Sequence, residues 1–363
     1  MSILIFFLVL FVLVLVHEWG HYITAKWTGM RVDEFGIGFP PKLFGIKKGE
    51  TEYTFNALPI GGFVKIYGED SDAVQGGADY DRSFTGKKRW AQALVLIAGV
   101  TMNVLFAWFL FSSAFMWGVD EGVEEASATP EARLIVSNVL EGSPAADAKL
   151  PPGSIITAVS RDGVSLATLT PSAFSRFVSE GGGSPVQIAY TKDDELFMAN
   201  VVPKSGVIEA EPERAAVGVA LTLVDRISYS FFGALTEGFT YTLESTKAIV
   251  VGITTLIRDA FIGKADLADV TGPVGIVGMV GEASAYGFSA LLMFTGFISL
   301  NLAVINVLPF PALDGGRLLF VAIEAVTRRP MPVRATQIAN TVGFALLILL
   351  MVVVTWNDIS KLI

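Results

Sequence analysis

Residues 3–24 are apolar for long enough to cross most of a bilayer as a helix at 1.5 Å per residue, yet they carry His17, Glu18 and His21. Ionisable groups inside hydrocarbon are costly unless something pairs with them, so any fold containing this segment must bring partners to it. These are the only two histidines of the chain. Four residues apart on a helix, they stand on one face, one turn above the other, and both imidazoles can reach one ion. Glu18 stands beside them, where it can take a proton from water. A lone histidine in an apolar helix is usually a core residue, but two histidines and a carboxylate in one span have no such explanation.

The pattern is H-E-x-x-H, the arrangement of zinc hydrolases. His17 falls about 21 Å along the helix, past the middle of a hydrocarbon core about 30 Å thick, so the motif lies towards one membrane face. With 52% apolar and 17% charged residues, the chain is too oily for a soluble enzyme and reads as a multi-span membrane protein. The first apolar stretch lacks a basic segment before it and an A-x-A site after it, so it is expected to be retained rather than cleaved. Cysteine is absent, which leaves His, Asp and Glu as the available metal ligands.

The chain divides into seven expected regions. Residues 1–25 form the first span, and residues 26–89 hold ten Lys or Arg, which places them in the cytoplasm by the positive-inside rule. Within that region, short strands around Phe35 and Phe63, broken by Gly and Pro, suggest a membrane-associated β hairpin whose edge dips beside the site. Residues 90–118 form the second span, where Gly99 and Asn103 suit close helix packing and an interhelical hydrogen bond. Residues 126–205 read as an extracytoplasmic β-rich module with one helix near Pro171, a common design for peptide binding. Residues 206–287 follow as a linker with an amphipathic helix lying on the outer surface. Residues 119–287 hold 22 acidic and 11 basic side chains, a balance unsuited to nucleic acid.

Residues 288–316 form the third span and end in Asn306-Val-Leu-Pro-Phe-Pro-Ala-Leu-Asp314-Gly-Gly, whose Pro and Gly residues unwind the helix. By elimination Asp314 is the best candidate for a third metal ligand. Its rival Glu324 is explained by Arg328, four residues later on a helix. Three crossings bring Asp314 to the same side as His17 and His21; a fourth crossing before it would put them on opposite sides. Residues 333–356 make the fourth span.

The sequence resembles the site-2 protease family of intramembrane zinc metalloproteases, specifically the bacterial regulator-of-sigma-E protease type. His17-Glu18-x-x-His21 is similar to the family's H-E-x-x-H, and residues 306–315 to its N-x-x-P-x-P-x-L-D-G. The resemblance implies Zn²⁺ held by His17, His21 and Asp314, with Glu18 as catalytic base, in a four-span protein of the bacterial inner membrane. It also implies cleavage of single-span membrane proteins, such as anti-sigma factors or signal-peptide remnants, after a first extracytoplasmic cut. Asn301 and Asn306 would engage the unwound substrate, the strands would form a membrane-inserted β loop, and the outer module would be a single PDZ domain able to take peptide termini. The competing reading is a zinc-binding membrane scaffold without catalysis. A metal transporter would more naturally show polar residues along several spans or internal repeats, and neither is present.

Overall fold

The computed structural model describes residues 1–69, 77, 79–192, 195–208, 211–264 and 270–361. Parts of the expected hairpin region (70–76 and 78), of the β-rich module (193–194) and of the linker (209–210 and 265–269) lie outside the described residues. Two compact units result: Met1–Trp117 with Tyr229–Ile363, and Gly118–Ser228. The first unit begins with α1 (Ser2–Trp27), β1 (Val32–Lys48), β2 (Thr51–Ile66) and α2 (Arg89–Trp117). The second holds β3 (Val119–Val123), β4 (Arg133–Val139), α3 (Pro144–Asp147), β5 (Ile155–Arg161) and β6 (Val164–Ser165). It continues with α4 (Pro171–Glu180), β7 (Val186–Lys192), β8 (Glu195–Val201) and β9 (Val219–Ile227). The first unit then resumes with α5 (Phe231–Phe261), α6 (Pro273–Tyr286), α7 (Phe288–Val307), α8 (Asp314–Thr327) and α9 (Val333–Ser360).

Among the described residues, four helices, α1, α2, α7 and α9, are long and apolar enough to cross a membrane. In α1 the buried positions Val9, Leu13, His17, His21 and Ala25 recur every fourth residue, so the histidines lie on the stripe that packs. That stripe meets α2, which is the central helix and also packs against α5, α7 and α8. The α7 side of this contact is built of small residues, Thr295, Gly296, Ser299 and Ala303, which let backbones approach where no hydrophobic force drives helices together. Ser299 Oγ donates to the Asn103 carbonyl at 2.8 Å and ties α7 to α2.

The third span is shorter than residues 288–316. Helix α7 stops at Val307 because Pro309 and Pro311 cannot continue the backbone ladder, and Asp314 instead opens a new helix. Helix α5 packs against α2. It is 31 residues long, and its first part, through Tyr241, makes this contact. Trp108 Nε1 donates to the Leu235 carbonyl at 2.9 Å, and the Phe111 and Tyr241 rings meet edge to face at 4.8 Å. The acidic and basic residues that interrupt its apolar pattern mask this packing face in sequence.

The hairpin curls so that one strand segment serves two partners. Residues 34–37 of β1 pair with 62–65 of β2 on one side and with 52–55 of β2 on the other. Both strands bend through repeated register shifts, and the sheet closes into part of a barrel. Among the described residues no strand pairs with the far side of residues 62–66.

The second unit is an antiparallel sheet in the order β3-β9-β4-β5-β7-β8, with β6 on β5. The strands β4, β5, β7 and β8 and helix α4 fall on the β-rich runs visible in the sequence. The unit extends past residues 126–205, because β3 and β9 join it and β9 lies between β3 and β4. Its core packs Leu134, Val136, Ile156, Val159, Ile188 and Leu223 against Phe174 and Val178 of α4. Thr170 caps α4, accepting from the Ala173 amide at 3.2 Å, with Pro171 in the first turn.

Asp225 pins the loop before β4 to β9. Its carboxylate accepts from the Thr129 amide at 2.9 Å and from its neighbour Arg226 at 2.8 Å, and these bonds, Thr129 first, hold its carboxyl below the usual carboxylate range. A depressed folded-state value gives stability that is present above the unfolded value, about 4, and is lost as pH falls through the folded one. Asp225→Asn should therefore lower the unfolding temperature of this unit at neutral pH and flatten its acid dependence below about pH 4. Thermal unfolding of the two proteins across pH 2 to 7 tests this, and parallel curves would refute it.

Candidate metal centre

Helix α1 supplies His17 and His21 from one face, and the chain after α7 supplies the third group. Leu308, Pro309 and Pro311 turn the backbone back on itself, and α8 starts directly beneath the end of α7. The turn needs glycine: a Cβ at Gly315 would stand 2.2 Å from the carbonyl oxygens of both Val307 and Leu308. Asp314 thus enters the first turn of α8, where a carboxylate also suits the positive end of the helix dipole.

The three side chains converge. His17 Nε2 lies 3.0 Å and His21 Nε2 3.2 Å from Asp314 Oδ2, and the two Nε2 atoms are 3.1 Å apart. Both histidines are buried. A tetrahedral ion with bonds of about 2.0–2.1 Å holds its ligand atoms roughly 3.3 Å apart, so this near-equilateral set fits such an ion. The donor chemistry agrees. His21 Nδ1 donates to the Val95 carbonyl at 2.8 Å, which leaves its Nε2 lone pair directed at the shared point. Asp314 Oδ2 is buried and has no hydrogen-bond donor satisfying it among the described residues, as expected of an oxygen whose partner is a cation.

Glu18 lines the same cavity of about 570 Å³, together with Phe63, Val64, Lys65 and Ile66 of the unpaired β2 edge. The hairpin backbone passes close to the acid, since a Cβ at Gly62 would stand 3.8 Å from Glu18 Cγ. Glu34, Glu69 and Arg317 complete the wall, with Arg317 ion-paired to Glu69. No local pattern links Arg317 to Glu69, 248 residues away. Val95 has no signature either, because a backbone carbonyl leaves no trace in residue type.

Glu324 is removed from the site. Its carboxylate pairs with Arg89 at 2.7 Å and accepts from the Met331 amide at 2.7 Å, so its partner is Arg89 rather than the Arg328 expected from helical spacing. Asn301 and Asn306 do not line the cavity of the histidines. Asn301 Nδ2 donates to the Phe297 carbonyl at 2.9 Å, and its side chain borders a groove between α5 and α7.

Comparison with known proteins places the geometry in context. Residues 5–350 match the sequence model described as Peptidase family M50. A Clostridium perfringens protein, itself assigned as a zinc metalloprotease, is 36% identical over 348 residues, covering 96% of this chain and 95% of the relative. The zinc metalloprotease RasP of Oceanobacillus iheyensis is 31% identical over 442 residues, covering 99% of each. The regulator of sigma-W protease RasP of Bacillus subtilis is 28% identical over 437 residues, again covering 99% of each.

One residue that ligates nothing controls the room available to both imidazoles. A Cβ at Gly99 would lie 2.4 Å from His21 Nε2 and 2.8 Å from His17 Cε1. Gly99→Ala should therefore displace the rings and lower bound metal by roughly tenfold or more, although no ligand is altered. Metal analysis of the purified variant checks this, and wild-type occupancy would show that the helices separate instead.

Proposed function

The chain belongs to peptidase family M50, and from that premise we propose that it is a zinc-dependent intramembrane endopeptidase acting on single-span membrane proteins after a first extracytoplasmic cut. The observation that carries the reading is the meeting of His17, His21 and Asp314 within 3.0–3.2 Å of one another, beside Glu18 and an open strand edge. The Clostridium perfringens and Oceanobacillus iheyensis relatives carry zinc metalloprotease in their names, and the donor set suits that ion. Zinc held by these three residues would supply Lewis acidity towards a peptide carbonyl and towards water.

The protein's own groups do the rest. Glu18 accepts a proton from the attacking water and returns it to the leaving amine. Residues 62–66 offer unpaired backbone groups to a substrate segment, which adds as a further strand and presents its carbonyl to the site in extended form. A helical substrate hides its amides, so helix-breaking residues near the cut are favoured. Asn301 and Asn306 would engage the unwinding segment along α7 before it reaches that edge. The ten Lys and Arg of residues 26–89 support an active site towards the cytoplasm of a bacterial inner membrane, with the second unit outside.

That unit has a groove of its own. Among the described residues, residues 219–222 of β9 pair with β4 alone, because the pairing with β3 covers only Leu223–Ile227, and the open flank faces α4 across a cavity of about 470 Å³ lined by Leu140, Phe174, Val178 and Val217. A PDZ-like capture of a peptide terminus by strand addition fits this shape.

Glu18→Gln should retain zinc and lose at least about 10²-fold in cleavage of a single-span substrate by the purified protein, since the ligands survive and the proton acceptor does not. Asp314→Ala should lose zinc and activity together. Near wild-type cleavage by Glu18→Gln would sink the catalytic assignment. Intact zinc in Asp314→Ala would send the search for a third ligand elsewhere. Zinc binding without cleavage in the wild type would favour a scaffold.

A further inference from the structure

Each histidine of the centre has a second ring nitrogen turned away from Asp314, and both of these nitrogens meet α2. For His21 the partner is the Val95 carbonyl, which can only accept, so the ring proton resides on Nδ1 and Nε2 keeps its lone pair. For His17 the partner is a side chain. Its Nδ1 lies 3.3 Å from Asn103 Nδ2, and the other terminal atom of that amide, Oδ1, is buried with no hydrogen-bond partner among the described residues.

Asn103 is fully buried, and its own carbonyl is held by Ser299 Oγ from α7. Packing between helices does not require an amide there, because an apolar side chain would fill the space without burying a polar group that lacks a partner. The amide is also poised between two states of one ring. With Nδ2 towards Nδ1, the imidazole carries its proton on Nε2 and cannot ligate through that atom. With the amide turned by half a rotation, Oδ1 accepts from Nδ1–H, and the Nε2 lone pair points where those of His21 and Asp314 already converge.

We propose that Asn103 is a positioning residue that fixes the ligating tautomer of His17, performing with a side chain what the Val95 carbonyl performs for His21. This rests on the reading of the three converging residues as a zinc centre. The two partners sit eight residues apart on α2, with Gly99 midway between them making room for both rings. Helix α2 thus carries the orienting groups of both imidazoles on one face.

The test measures metal binding rather than turnover. Full-length protein in detergent is stripped of metal, its zinc affinity is read by competition with a chromophoric chelator, and its Co²⁺ adduct is read by visible absorption. Asn103→Leu and Asn103→Ala should bind zinc roughly 10–100-fold more weakly than wild type, with a changed Co²⁺ spectrum. Asn103→Asp retains an acceptor for Nδ1–H and should restore both affinity and spectrum. Rescue by Asp but not by Leu separates an acceptor role from a packing role, and unfolding temperatures of the stripped proteins identify any variant that has merely lost its fold. If Leu does not fold, the comparison of Ala with Asp decides. Affinities of Leu and Ala within about twofold of wild type would overturn the role of Asn103 while leaving the zinc centre standing, and so would failure of Asp to exceed Ala. A wild type that binds no zinc would overturn both.

Discussion

Two imidazoles and a carboxylate inside an apolar helix bundle are costly unless every polar atom finds a partner, and the first unit is organised around meeting that demand. The packing stripe of α1 also carries both histidines, so the helix cannot bury itself without delivering His17 and His21 to α2. The contact face of α2 is correspondingly mixed: small at Gly99 to make room, polar at Asn103, and able at Val95 to lend a backbone carbonyl already used in its own helix. Asp314 completes the set from a turn whose two glycines let the chain fold back under α7. A cation at their meeting point is the remaining partner that all three share.

The same assembly explains why the site is open to a polypeptide rather than to a small molecule. A bundle of helices alone offers no unpaired backbone, because helices satisfy their hydrogen bonds internally. The curled hairpin does offer it. With residues 34–37 occupied on both sides, the strand left over is 62–66, and it lies along the wall of the cavity that contains Glu18. The polar cluster and the open strand edge therefore come from different kinds of secondary structure brought to one place.

Local pattern in the sequence determined a good deal of this protein. The 3.6-residue period put His17 and His21 on one face of one helix with Glu18 beside them, apolar length marked the four helices long enough to cross a membrane, and α7 stops at Val307, before Pro309, short of the expected 316. Asp314 was reachable by elimination, since the chain has two histidines and no cysteine. The runs that became β4, β5, β7 and β8 were visible by composition, while β3 and β9 at the ends of the module were not, because what makes them strands is their pairing with each other and with β4.

Only the tertiary structure decided which faces meet. A periodic pattern shows that a helix has a buried side and not what covers it, so the packing of the 31-residue α5 against α2 has no signature in its own sequence. The pairing of Glu324 with Arg89 instead of Arg328 has the same origin, since helical spacing ranks only near neighbours. The second partners of the two histidines lie beyond sequence for a stricter reason. The Val95 carbonyl is common to every residue type, and the amide of Asn103 gains its meaning only when α1 packs against α2 and brings the His17 ring to it, 86 residues away in the chain.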